Sequence, residues 1–224
     1  MKLTAMAQVA SDELVQASMY LMLSRDDLQK HDARLKSSHP QMEAPNTKYN
    51  AMAERFMAEW AICKAADTYQ WYNRKVLHAA ACRSPSILKN FPGKMVAARA
   101  IDHVAGLISE RELKDWAVRK HLHEHLGIWE ESEMALIVRA RNCLVHAMGL
   151  DSGGEMAKAI AEAKSPWGLI ITIRNGKLRV TATAAETALQ LTLAQISLMD
   201  QGFARLHHVP VSERKPPRFT RIMG

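Results

Sequence analysis

The 224 residues suffice for one ordinary domain and are few for two. With 48% hydrophobic and 24% charged residues the chain can bury a core and stay in solution, and a net charge of +7 favours polyanionic partners without naming one. Cys63, Cys82 and Cys143 lie far apart with no CxxC, which excludes a disulfide framework and a cysteine-based zinc site and suits a reducing cytosol, and no apolar run approaches the roughly eighteen residues that cross a bilayer.

The opening Met1-Lys2-Leu3-Thr4-Ala5-Met6-Ala7-Gln8-Val9-Ala10 faintly imitates a secretory leader. Its apolar core is too short and is interrupted by Thr4 and Gln8, so a cytoplasmic protein is expected. Ser11-Asp12-Glu13 reads as an N-cap followed by first-turn acids, opening a helix to about Leu35. The prolines of His39-Pro40 and Ala44-Pro45 make 37–47 a loop. From about Lys48 to Ala81 a long helix is expected. Tyr49, Met52, Phe56, Trp60, Cys63, Asp67 and Trp71 recur there at three- and four-residue steps, marking one largely apolar face.

Ser84-Pro85 starts a short helical turn that Phe91-Pro92-Gly93 ends, and 94–108 reads as helix again. Ser109-Glu110-Arg111-Glu112 is a capping box, opening a helix that stops at Gly127. Trp129–Met148 is the next helix, closed by Gly149, and a short one follows over Glu155–Ala163. Two β-rich runs, 169–174 and 177–181, flank Asn175-Gly176, a strong hairpin signal. A last helix spans about Ala184–Leu206, and 212–224 reads as a basic, loose tail. There is no internal repeat and no interdomain linker. The expected architecture is all-α: one helical bundle over 1–211, with a hairpin at about 169–182 inserted before its C-terminal helix.

The segment richest in chemistry is the helix around 134–149. Met134, Ile137, Val138, Leu144, Val145 and Met148 follow a helical stripe in which position 141 is the missing member, and it is Arg. A guanidinium inside an apolar seam costs several kcal/mol unless it is paired or faces a wet cleft. Asn142 and His146, four apart, share a helix face. Arg141 and His146 lie about 140° apart around the helix, within reach of a long side chain. Two copies meeting about a two-fold axis would bring both Arg and both His to one groove. The plainer reading pairs Arg141 with a carboxylate of another helix and leaves His146 as a helix-end histidine favoured by the dipole.

Arg141-Asn142-x-x-x-His146, late in a helix of a small helical domain, resembles the R-x4-6-H motif of HEPN domains, in which a polar residue commonly follows the Arg. The resemblance covers about ten residues as motif and most of the chain as architecture. It implies a homodimeric, metal-independent endoribonuclease with a composite active site and no cofactor. Similar HEPN proteins act as toxins, in phage defence or in RNA processing, so an antitoxin or a nucleotidyltransferase is an expected partner of the toxin role. His146 would be the general acid or base, Arg141 would fork onto phosphate oxygens, and Asn142 would orient His146 or bind phosphate. A HEPN-like module that binds RNA, a nucleotide or a partner without cutting is the alternative.

Other signals are weaker. Arg174, Lys177 and Arg179 on the hairpin, with Arg214 and Lys215 in the tail, are candidate RNA-phosphate contacts, or solubilising charge. His121, His123 and His125 fit a solvated helix end better than a metal site, because no third ligand is fixed. Asp102-His103 suits a hydrogen bond at the edge of the core. Trp60, Tyr69, Trp71 and Tyr72 could stack bases, although their helical spacing favours packing.

Overall fold

The structure, a computed structural model, describes residues 2–38, 43–83, 132–163 and 165–213, with 120, 123 and 124. The elements expected over 84–119 and at the 109–127 capping-box helix therefore lie outside the described residues, except for those three positions. The fold is all-α with a small hairpin before the last helix, as the composition dictates. Among the described residues no helix is long and apolar enough to cross a membrane.

Helix α1 (Ala5–Ser38) follows a two-residue strand, β1 (Lys2–Leu3). Its buried stripe, Ala7, Ala10, Leu14, Ala17 and Leu21, alternates steps of three and four. The helix starts six residues before the expected cap at Ser11, which is itself buried inside it. Thr4 is the cap: its hydroxyl oxygen accepts from the Ala7 N–H at 3.4 Å. Thr4 outcompetes Ser11 because a distant carboxylate fixes it. Its N–H donates to Asp200 at 2.7 Å and its hydroxyl at 2.5 Å. Tyr72 donates a third bond to Asp200 at 2.8 Å, and Asp200 is fully buried. Burial, then the Asp200 charge and the hydrogen bond to it, push the Tyr72 hydroxyl far up, so it stays a donor.

Helix α2 (Glu43–Arg83) begins inside the expected loop. Pro45 falls in its first turn, where a missing N–H costs nothing. The face it buries corrects the sequence expectation. Ala58, Ala61, Ile62, Ala65, Tyr69, Tyr72, Val76 and Ala80 are buried, whereas Phe56 of the expected apolar stripe is 66% exposed and Met52 59%. Small alanines form the inner face, and a periodicity argument weighted by large side chains selected the other one. Tyr69 and Tyr72 are thus core residues, and Trp60 packs edge-on against Tyr20.

Helix α3 (Ser132–His146) ends in two left-handed residues, Met148 (φ 50°) and Gly149 (φ 77°). The Ala147 and Gly149 N–H groups both donate to the Cys143 carbonyl, at 3.1 and 2.9 Å. Helix α4 (Glu155–Ala163) matches its expected span and is capped by Asp151, whose two oxygens accept from the Met156 and Ala157 N–H groups at 2.9 Å each.

Leu169 and Ile170, expected to open the hairpin, belong instead to a 3₁₀ turn (Trp167–Ile170). That turn buries Trp167 completely and lets its indole N–H donate to the Ala184 carbonyl at 2.8 Å, a gain that outweighs local β preference. Strands β2 (Thr172–Arg174) and β3 (Lys177–Arg179) pair antiparallel, with Thr172 opposite Arg179 and Arg174 opposite Lys177. Asn175 and Gly176, at φ 52° and 68°, form the left-handed turn between them. Helix α5 (Ala182–His207) is capped by Thr181, whose hydroxyl accepts from the Ala184 N–H at 3.1 Å. The segment expected as a tail opens with a strand, β4 (Ser212–Glu213), antiparallel to β1. A two-residue strand leaves no pattern in sequence.

Contacts group the chain into two compact units, one of Met1–Asp12, Tyr69–Glu130 and Gln195–Gly224, the other of Glu13–Thr68 and Glu131–Ala194. The first holds the Thr4–Tyr72–Asp200 cluster and the β1–β4 pair. The second holds α3, α4, the 3₁₀ turn, the hairpin, α1 from Glu13 onward and the N-terminal parts of α2 and α5.

Candidate functional site

Helix α3 buries Met134, Leu136, Ile137 and Ala140, and there its buried stripe stops. Val145 is 48% exposed, Met148 81%, and Asn142 and His146 face solvent. The expected buried seam across position 141 is therefore corrected. Arg141 sits where the helix leaves the core, its side chain 23% exposed, so a guanidinium there keeps part of its hydration.

Three side chains meet at this guanidinium. Arg141 Nε donates to Asp67 Oδ1 of α2 at 2.9 Å. Its Nη1 donates to Asn142 Oδ1 at 3.3 Å and lies 3.4 Å from His146 Nε2. The structure thus brings Arg141, Asn142 and His146 together within one chain. It also bears out the plainer expectation that Arg141 pairs with a carboxylate of another helix. The two are compatible, since Asp67 takes Nε and Nη1 faces the imidazole. A guanidinium can only donate, so a hydrogen bond across this contact uses the Nε2 lone pair and puts the ring proton on Nδ1. With Asp67 half exposed, the ion pair itself contributes about 0–1 kcal/mol to stability. Its larger effect is to hold the guanidinium plane.

Asp67 had no assigned role in the sequence reading. The available signal was a carboxylate interrupting the stripe of large apolar residues on α2, which is the counterpart of Arg141 interrupting the stripe on α3. Cys63, one turn before Asp67, reports on this pair. Burial chiefly, then the charge of Asp67 and, more weakly, Glu59, push its thiol up, while Arg141 pulls it down. Iodoacetamide labelling of Cys63, followed residue by residue by mass spectrometry, should therefore speed up several-fold in Asp67→Asn and slow in Arg141→Leu. Unchanged rates in both variants would mean that the pair does not persist in solution.

The hairpin cations divide. By strand alternation and register, Arg174, Lys177 and Arg179 share one face, with Ile173 and Leu178 on the other. Arg174 and Lys177 are exposed and Arg179 is half-buried. Backbone bonds anchor the hairpin to the loop just after His146: Leu178 N–H donates to Gly149 O and Asp151 N–H to Gly176 O, both at 2.8 Å. Arg214 and Lys215 lie outside the described residues, as do His121, His125 and Asp102-His103. His123 is buried, its Nε2 2.8 Å from Asn73 Oδ1. Among the described residues no group of three His, Cys, Asp or Glu side chains is arranged to hold a metal ion.

Beside the Arg141 cluster is a pocket of about 270 Å³ between the end of α3 and the start of α4. Asn142 belongs to both. Arg139, Cys143, Leu150, Asp151, Glu155 and Met156 complete most of the wall. Burial, then the Asp151 charge, push the Cys143 thiol up. Comparison of the chain with protein-family models, curated proteins and solved structures finds no match.

Proposed function

We propose that the chain is a metal-independent endoribonuclease of the HEPN type. The single observation that carries this reading is the convergence of the Arg141 guanidinium, the Asn142 amide and the His146 imidazole at the exposed end of α3. RNA cleavage by its own 2′-hydroxyl needs one proton removed, one delivered, and negative charge stabilised on the phosphoryl oxygens. As Arg141 turns onto the phosphate, its contact with His146 Nε2 is released, and that nitrogen's lone pair takes the 2′-hydroxyl proton as the O2′–P bond forms. The P–O5′ bond breaks, and the leaving O5′ takes a proton from solvent or from the imidazolium of a second copy. Arg141 donates to the non-bridging oxygens, where charge develops. The products are a 2′,3′-cyclic phosphate and a 5′-hydroxyl.

A homodimer with a composite site supplies the second imidazole. Exposed Met52 and Phe56 on α2, and Val145 and Met148 flanking His146, support such pairing as apolar surface awaiting cover. Arg174, Lys177 and Arg179 offer phosphate contacts beside it. Incubation of the purified protein with total RNA in excess EDTA tests the proposal. Fragments ending in 2′,3′-cyclic phosphate and 5′-hydroxyl are expected, and intact RNA would overturn it.

A second reading, an RNA- or nucleotide-binding module that does not cut, is favoured by the Arg141–Asp67 bond, which already satisfies one edge of the guanidinium. It predicts salt-sensitive RNA retention without new ends in the same experiment. A toxin, phage-defence or processing role, with an antitoxin or nucleotidyltransferase partner, belongs to the nuclease reading.

A further inference from the structure

The pocket beside Asn142 has a lining that argues against phosphate and for a base. Asp151 and Glu155 place two carboxylates in its wall against one guanidinium, that of Arg139. A phosphate would meet net negative charge there. A neutral group rich in N–H donors would not. Leu150 and Met156 supply apolar surface for a flat ring, and Met156 is otherwise buried. At about 270 Å³ the cavity is at the small end of ligand sites and suits one ring system.

Its polar groups are constrained by what they already do. Asp151 is committed through both oxygens to the N–H groups of Met156 and Ala157. Glu155 is exposed and makes no hydrogen bond or ion pair among the described residues. Asn142 uses its carbonyl oxygen for Arg141, so its amide contributes N–H donors. The lining therefore offers a carboxylate that can accept two adjacent donors and an amide that can donate to a carbonyl. Guanine carries that pattern on a single edge: N1–H and N2–H beside O6. Adenine and cytosine offer one exocyclic donor next to a ring acceptor. Uracil offers a single donor, N3–H, with a carbonyl on each side that would face the carboxylate.

We infer that this pocket binds a guanine base through Glu155 and Asn142. The inference rests on the nuclease reading only for the place of that base, next to the phosphate held by Arg141. The shared chemistry is guanine, whether it comes from RNA or from a free nucleotide.

The test separates the two readings. Binding of 5′-GMP, AMP, CMP and UMP is measured by calorimetry in EDTA, on the whole protein and on Glu155→Gln. Glu155 is exposed at the first position of α4, so this variant keeps the fold. GMP should bind the parent most tightly, and Glu155→Gln should weaken GMP by about ten-fold or more while leaving UMP unchanged. GMP, and not UMP, should slow alkylation of Cys143, which lies in the wall. GMP binding no tighter than UMP, or equal GMP affinity in Glu155→Gln, overturns the inference. GMP binding by a protein that cuts no RNA upholds the pocket and refutes the nuclease. If RNA is cut, mapped ends biased toward guanosine in the parent and unbiased in Glu155→Gln assign the base to RNA. Ends without bias assign it to a free nucleotide.

Discussion

His146→Ala is expected to lower RNA cleavage by about 10²–10⁴-fold, the usual contribution of a general acid–base group. Its unfolding temperature should stay within a degree or so of the parent's, because the side chain is exposed and its one polar contact among the described residues, to Arg141 at 3.4 Å, is long for a hydrogen bond. The pairing of these two readouts is what makes the result diagnostic. A fall in activity accompanied by a fall in stability would return His146 to a structural helix-end role. Arg141→Lys sharpens the comparison. An ammonium keeps the charge but cannot hold Asp67 through one nitrogen and face His146 with another, so a loss of about 10²-fold or more is expected despite the retained charge. Full activity in the lysine variant would show that charge alone suffices and that the fork geometry is incidental.

The largest effect on stability is expected in the other unit, at Asp200. Asp200→Ala removes the acceptor for the Thr4 N–H, the Thr4 hydroxyl and the Tyr72 hydroxyl, in a place closed to water. Each orphaned donor costs about 1–3 kcal/mol, and the cost is incurred in the native state alone. A loss of at least about 3 kcal/mol follows for the three donors together, seen as a fall in Tm of about 6 °C or more at roughly 2–4 °C per kcal/mol. Asp200→Asn retains one acceptor oxygen and should fall between. Thermal unfolding by circular dichroism distinguishes the three proteins. A change below about 1 kcal/mol in Asp200→Ala would mean that water reaches the cluster and that Thr4 does not need this anchor.

The helical class was legible because it depends on local terms. An alanine-rich chain with few glycines and prolines forms helices whatever their neighbours, and α4 lies where its own residues put it. Asn175-Gly176 fixed its turn for an equally local reason, since both residues tolerate the left-handed conformation they adopt. Positions decided by distant partners were not legible. Ser11 read as the cap, and what makes Thr4 the cap instead is Asp200, 196 residues away. Leu169 and Ile170 have strand propensity, but Trp167 needed a buried place and an acceptor. On α2 the large apolar side chains drew attention to a face that is only partly covered, with Met52 and Phe56 exposed, because much of the inner face is alanine.

The sequence by itself determined the all-α class, the hairpin turn, and the odd cation and imidazole late in one helix, because these follow from residue type and spacing along a single element. Only the tertiary structure decided that Arg141 stands at the edge of the core with Asp67 on one nitrogen and His146 near another, and that a pocket opens beside Asn142. The reason is that an interrupted stripe marks a residue as odd without naming its partner; a pairing across 74 residues exists only once the two helices have packed.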